Sequence, residues 1–172
     1  NKVETVDQLA GKKIRTIPYA PELDLWTQLR AVPTPMPLPA LFDAFANGQI
    51  DGMQIDLEGT WTTKYYANAG MILHSDHGMF PMLAAASGRK WAQIPPEDQA
   101  IIAEEFTAET HNIVTAYAKL EQQFLTDLQG TNVPVMKVDR AWFGPAIDAY
   151  YEEWKGKSPL FEGLLQEAAA LN

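Results

Sequence analysis

Lys12-Lys13-Ile14-Arg15-Thr16-Ile17, read together with Gly48-Gln49-Ile50-Asp51-Gly52-Met53-Gln54, decides the fold. Each stretch is a short apolar run that ends in a polar or turn-forming residue, the mark of a strand leaving a sheet. In an open α/β sheet such strand ends face the crevice where ligands bind. Arg15 is therefore expected at a strand end, holding an anionic group. Its guanidinium is planar, always charged and able to grip a carboxylate through two parallel bonds. The alternative is a surface arginine paired with a helix end or an Asp.

The flanking sequence supports this reading. Thr5 to Ala10 reads as one helical turn closed by Gly11. Pro18 stops the strand from Lys13 to Ile17. Glu22 to Arg30 carries Leu25, Trp26 and Leu29 at helical spacing, and Val32 to Met36 holds a short strand among prolines. Leu41, Phe42 and Phe45 share a helix face that ends at Asn47-Gly48. Ile50 to Ile55 is a strand, Leu57 to Ala67 a helix, Met71 to Leu73 a strand and Met79 to Ala86 a further strand ended by Ser87-Gly88. Strands and helices that alternate with short connections give an α/β sheet, partly parallel.

From Pro95 the texture changes. Pro95-Pro96-Glu97-Asp98-Gln99 starts a helix, with proline in the first turn and acids at the positive end of the dipole. Ile102, Phe106, Ile113, Tyr117, Leu120, Phe124 and Leu128 recur at steps of three, four or seven up to Gln129. At 1.5 Å per residue this is a rod of roughly 50 Å, long enough to lie along two bodies. Val133 to Val138 is an edge-strand candidate, Asp139 to Trp154 a helix interrupted near Gly144-Pro145, and Leu160 to Leu171 a final amphipathic helix. Three sections follow: an α/β core over 1–94, the long helix over 95–130, and a C-terminal strand and helices over 131–172.

Composition narrows the function. The 172 residues are 47% apolar and 20% charged, ordinary for a globular protein. A net charge of −9 argues against a nucleic-acid partner, and an anionic ligand needs a local positive site rather than global steering. Without cysteine there is no disulfide and no thiolate metal site. No apolar run reaches the length of a membrane span. There is no P-loop, no GxGxxG and no nucleophile-elbow serine, so an enzyme is not expected. His74 and His77 are spaced H-x-x-H, but in a strand-to-loop context with no third ligand, so neither a metal nor a cofactor is expected.

Four ordered segments resemble the solute-binding proteins of TRAP transporters, the DctP-like family. They are Val6-Asp7-Gln8-Leu9-Ala10-Gly11-Lys12-Lys13-Ile14-Arg15, the run from Pro35 to Gly52, Lys64-Tyr65-Tyr66 with His77, and the run from Trp91 to Gln99. The resemblance covers almost the whole chain. It implies a periplasmic-binding-protein-like lobe with a mixed sheet, plus a long bridging helix and C-terminal helices. It also implies a periplasmic two-lobed protein that closes on a small organic acid and delivers it to the TRAP transporter's membrane subunits. A first lobe would precede Val6, so the chain would be a fragment from which a signal peptide had been removed. The strand at Met79 to Ala86 would pair with that lobe. Apolar surface left without its partner would favour a homo-oligomer or a swapped dimer.

The resemblance makes Arg15 the carboxylate clamp. Asp51-Gly52 matches the family's Asp-Gly, with Asp51 a structural turn residue. The next positions depart from the pattern. Gln54 stands where a Glu is usual, and Ile55 where the family has a ligand-contacting Asn, so the ligand's second polar group must be met elsewhere or the ligand is more apolar there. Gln54 and Asp56 are candidate contacts, for the ligand or for an assisting cation; the alternative is a turn role. Ser87 stands in place of another Asn. Phe80 falls near the pocket mouth, with packing as the alternative, and Trp61 and Tyr65 either stack on a ligand or pack in the core.

Overall fold

The computed structural model describes residues 2–78 and 83–170. Five short strands and seven helices are found among them, with several 3-10 turns. Strand β1 (Lys13–Thr16) runs through the centre of a three-stranded sheet. Helix α1 (Ala20–Gln28) carries the chain over to β2 (Val32–Pro35), which lies parallel to β1 with Lys13 opposite Val32 and Arg15 opposite Thr34. A parallel pair needs such a crossover, because a hairpin cannot reverse the chain twice. After α2 (Leu41–Ala46), β3 (Gly52–Met53) joins the other side of β1, also in parallel.

Side chains on β1 alternate between the two faces. Ile14 enters one cluster with Leu9, Leu25, Trp26, Leu29, Ala31 and Phe143. The second cluster, Leu41, Ala44, Ile50 and Tyr65, with Met36, Met53 and Ile55 against it, forms separately. A glycine is favoured at the entry to β1: Gly11 has φ +72°, and its N–H donates to the Arg30 carbonyl at 2.8 Å. Asp51 has the structural role expected of it. Its carboxylate accepts from the Lys13 N–H at 2.8 Å, while its own N–H donates to the Lys13 carbonyl.

Helix α3 (Leu57–Thr62) is followed by β4 (Ile72–His74), which pairs in parallel with β5 (Val135–Lys137) as a separate two-stranded sheet. Every strand pairing among the described residues is therefore parallel. Pro134 fits beside β5 because a two-stranded sheet has only edges, and its carbonyl still accepts from the Ile72 N–H. Helix α4 (Gly88–Trp91) leads into α5 (Pro96–Gln129), 34 residues long, which packs on α3. Helices α6 (Pro145–Lys157) and α7 (Phe161–Ala170) follow, with α6 against α1. Among the described residues no helix is long and apolar enough to cross a membrane.

Several element boundaries differ from expectation. The expected helix from Leu57 to Ala67 ends at Thr62, because Lys64 takes a left-handed conformation (φ 59°) and the chain restarts as a 3-10 turn at Tyr65–Asn68. The strand expected over Ile50 to Ile55 shrinks to Gly52–Met53. The flanking Asp51 and Gln54 still donate their N–H groups to the Lys13 and Arg15 carbonyls, while Ile50 is buried in the core. Of the strand expected at Met79 to Ala86, positions 79–82 lie outside the described residues. Leu83 to Ala86 form no strand, and Leu83 is 92% exposed.

Candidate functional site

The carboxyl ends of β1, β2 and β3 lie side by side, and Arg15 is the charged group among them. Only 6% of Arg15 is exposed. Its Nε donates to the Met36 carbonyl, just past β2, at 3.0 Å, and its Nη1 to the Gln54 carbonyl, just past β3, at 3.2 Å. The guanidinium thus points along the strands toward their ends and spans from one neighbouring strand to the other. Among the described residues no carboxylate pairs with it. Burial pushes its pKa down and the Tyr65 phenol pulls it back up, but an arginine remains charged at any accessible pH. A buried cation held only by carbonyl dipoles is costly unless an anion joins it.

On the opposite face of β1, Thr16 is wholly buried. Its hydroxyl donates to Gln54 Oε1 at 2.7 Å, and Trp26 Nε1 donates to the same oxygen at 2.8 Å. Gln54, 7% exposed, closes the network by donating its N–H to the Arg15 carbonyl at 2.8 Å. Glu22 lies at the margin, with Oε2 3.5 Å from the Thr16 hydroxyl and Oε1 accepting from Tyr19 at 3.3 Å. His77 sits edge-on to Trp26, with ring centroids 5.8 Å apart, and 5.9 Å from Phe143. Burial beside these rings lowers the imidazole pKa, against the pull of Glu22 and Asp76, although His77 as a whole is exposed.

The other residues singled out from the sequence are used in different ways. Asp56 caps α3, its carboxylate accepting from the Gly59 N–H. Ile55 packs against the second cluster and Tyr65 is one of its buried members. Trp61 stacks on Tyr66, with centroids 5.2 Å apart and planes inclined by 16°. Ser87 is exposed and precedes α4, where its carbonyl accepts from the Trp91 N–H. Phe80 lies outside the described residues. No cluster of three or more metal-ligating side chains occurs among the described residues. Two surface hollows of about 500 and 510 Å³ are lined by residues from 137 onward, and neither includes Arg15.

Sequence reasoning leaves Thr16 and Trp26 out of the site. Trp26 reads as core from its helical spacing, and its acceptor lies 28 positions away. The usable signal is that a buried indole N–H needs an acceptor. Strand alternation likewise turns Thr16 away from Arg15 and toward the helix.

Comparison with known proteins gives a consistent result. Residues 1–157 match the bacterial extracellular solute-binding proteins, family 7 (DctP). The chain is 23% identical over 165 residues to the protein YiiZ of Salmonella typhimurium, covering 95% of this chain and 50% of that protein. A solute-binding protein of Roseobacter denitrificans is 29% identical over 92 residues, 53% of this chain and 28% of its own length. Among solved structures, a TRAP periplasmic solute-binding protein of Haemophilus influenzae with bound L-gulonate superposes with a TM-score of 0.89 at 21% identity. The match spans 100% of this chain and 58% of that one. A TRAP periplasmic solute-binding protein of Desulfovibrio salexigens in complex with diglycerolphosphate gives 0.81 at 26% identity, over 99% and 56%. The periplasmic ectoine-binding protein of Halomonas elongata gives 0.82 at 18%, over 96% and 56%. The match with YiiZ spans half the length of that protein, and the match with the Roseobacter protein a smaller share. With the family profile matched from residue 1 to 157, the chain belongs to family 7 of the bacterial extracellular solute-binding proteins, the DctP family.

Proposed function

We propose that this chain is the Arg15-bearing lobe of a periplasmic TRAP-type binding protein. It captures a small organic acid anion and passes it to the transporter's membrane subunits. The observation that carries the reading is Arg15: buried, anchored by two carbonyls, and without a carboxylate partner among the described residues. An incoming carboxylate supplies the missing counter-charge in a site already shaped for it, so little reorganisation is needed. The ligands named for the similar structures (L-gulonate, diglycerolphosphate, ectoine) each carry a carboxylate or a phosphate, in keeping with a guanidinium clamp. Ile55 offers no polar side-chain atom and Asp56 is engaged as a cap, so the ligand's remaining polar groups are met elsewhere. The second wall of the cleft comes from a first lobe, and closure of the two is a hinge motion. The site binds and releases its ligand unchanged.

The test is calorimetric titration of the two-lobed protein with L-gulonate, D-galacturonate and related acids, wild type against Arg15→Ala. Loss of a buried charge-assisted contact weakens binding by at least about 30-fold, equivalent to about 2 kcal/mol. Unchanged affinity for an acid that binds the wild type rejects the clamp. A second reading, self-association through α5, is favoured by the exposure of Ile102, Phe106, Ile113, Tyr117 and Leu120 along one helix. Light scattering across a concentration series decides it; a monomer at all concentrations removes that reading.

A further inference from the structure

We infer that Trp26 and Thr16 are positioning residues for Arg15, acting through Gln54. The inference rests on the clamp reading for its functional weight, but not for its geometry. Strand β3 is only two residues long and pairs with β1 at Ile14–Gly52 and Arg15–Met53. Gln54 therefore stands beyond the last regular pair, tied to the sheet backbone by one bond, its N–H to the Arg15 carbonyl. That tether holds the Met53–Gln54 peptide and leaves the Gln54–Ile55 peptide, which carries the carbonyl, free to pivot. The Gln54 side chain supplies the second tether: Oε1 takes both the Thr16 hydroxyl at 2.7 Å and the Trp26 indole N–H at 2.8 Å. A carbonyl-type oxygen with two lone pairs is then fully used.

The fixed Gln54 peptide in turn directs its carbonyl at Arg15 Nη1, 3.2 Å away. The other anchor, Met36, grips Nε. One anchor on Nε alone leaves the distal nitrogens free to swing; the Gln54 carbonyl is what fixes the plane of the fork. Bidentate recognition depends on that plane, since two parallel bonds need both nitrogens aimed together. The relay crosses the sheet: Thr16 and Trp26 lie on one face and the guanidinium on the other, with the Gln54 backbone passing between. Trp26 also binds this arrangement to α1, so the orientation of the clamp follows the position of that helix.

The test needs no ligand. In the full chain, solvent exchange of the Arg15 guanidinium N–H groups is followed by 15N-resolved NMR, the resonances being assigned by their loss in Arg15→Lys. Trp26→Phe keeps an aromatic ring and removes only the indole N–H; Thr16→Val keeps the shape and removes the hydroxyl. Each is expected to speed guanidinium exchange at least about tenfold, since a freed N–H exchanges from open rather than anchored states. Backbone amides of Leu25 and Leu29 should stay within about threefold of wild type. In a Gln54→Leu background, Trp26→Phe should add nothing further, because the shared acceptor is gone. Guanidinium exchange within twofold of wild type in both single variants overturns the proposal. So does a general loss of backbone protection that accompanies the guanidinium, which marks plain structural support. The clamp reading fails separately, by unchanged calorimetric affinity in Arg15→Ala, and that result leaves the relay standing.

Discussion

The two ends of α5 obey different rules. Near its C-terminus Leu128 is wholly buried, with Phe124 and Leu125 half-buried, while every residue from 100 to 123 is exposed. Yet the apolar pattern runs through both parts: Phe106, Ile113 and Tyr117 sit on the stripe that ends at Leu128. Periodicity records which face of a helix was selected to be apolar; burial records what that face meets. Where the two agree, as at Leu128, the packing lies within this chain. Where they diverge, the stripe, interrupted once by Glu109, is surface without a partner among the described residues, and polar side chains such as Glu104 and Glu105 keep the rest of the helix hydrated.

Truncation at the two ends gives the largest contrast. Leu128→Ala removes a fully enclosed side chain and should destabilise by about 2–5 kcal/mol in urea unfolding. Ile113→Ala, on the same stripe but 55% exposed, should change stability by no more than about 0.5 kcal/mol. Comparable losses at both positions would mean that the far end of α5 is packed in solution, against a second copy or another part of the protein. Amide exchange sharpens the same contrast: protection should fall from positions 125–129 toward 100–120.

A smaller effect comes from a position where only the backbone is at issue. Gly11 has φ +72°, and a Cβ built there meets nothing within 4 Å. Gly11→Ala therefore isolates the conformational cost, about 1–2 kcal/mol for a left-handed residue with a side chain. Since the Gly11 N–H bonds to the Arg30 carbonyl where β1 and β2 begin, the loss should appear as a lower melting temperature without change in secondary structure by circular dichroism. A neutral Gly11→Ala would show that this corner relaxes, and that the sheet tolerates movement at the end away from Arg15.

Legibility in the sequence follows the range of the cause. The strand at Lys13, the helix at Leu25–Leu29 and the full extent of α5 are readable because proline, glycine and apolar spacing act within a few residues. Arg15 at a strand end is readable for the same reason. The break at Lys64 is not, because nothing in Thr62-Thr63-Lys64 demands a left-handed residue; burial of Tyr65 against Leu41 and Ile50 decides it. Gln54 reads from its neighbours as a contact or turn residue, whereas its side chain is spoken for by Thr16 and Trp26, 38 and 28 positions earlier. Asp56 is the opposite case: its cap on Gly59 is local, three residues away, and falls within the turn role weighed for it.

The smallest expected effect concerns His77, where the packed side of the molecule meets solvent. Burial beside Trp26 and Phe143 lowers its pKa from the ordinary value near 6.5, while Glu22 and Asp76 oppose the shift and the residue as a whole stays exposed. The unfolded chain therefore binds a proton at a higher pH than the folded one. Stability is unaffected by this group above the unfolded value and falls as pH drops from about 6.5 toward the folded pKa, because protonation then favours the unfolded state. An NMR titration of the His77 ring should give a midpoint below 6.5, with its Nδ1 contact to Ser75 at 2.6 Å shaping the tautomer. Trp26→Phe preserves the flanking ring and should leave the midpoint nearly in place. Phe143→Ala removes one apolar wall and should raise it. A midpoint above 6.5 in the wild type would mean that the carboxylates of Glu22 and Asp76 outweigh the rings, and that the carboxyl end of this sheet is wetter than its packing suggests.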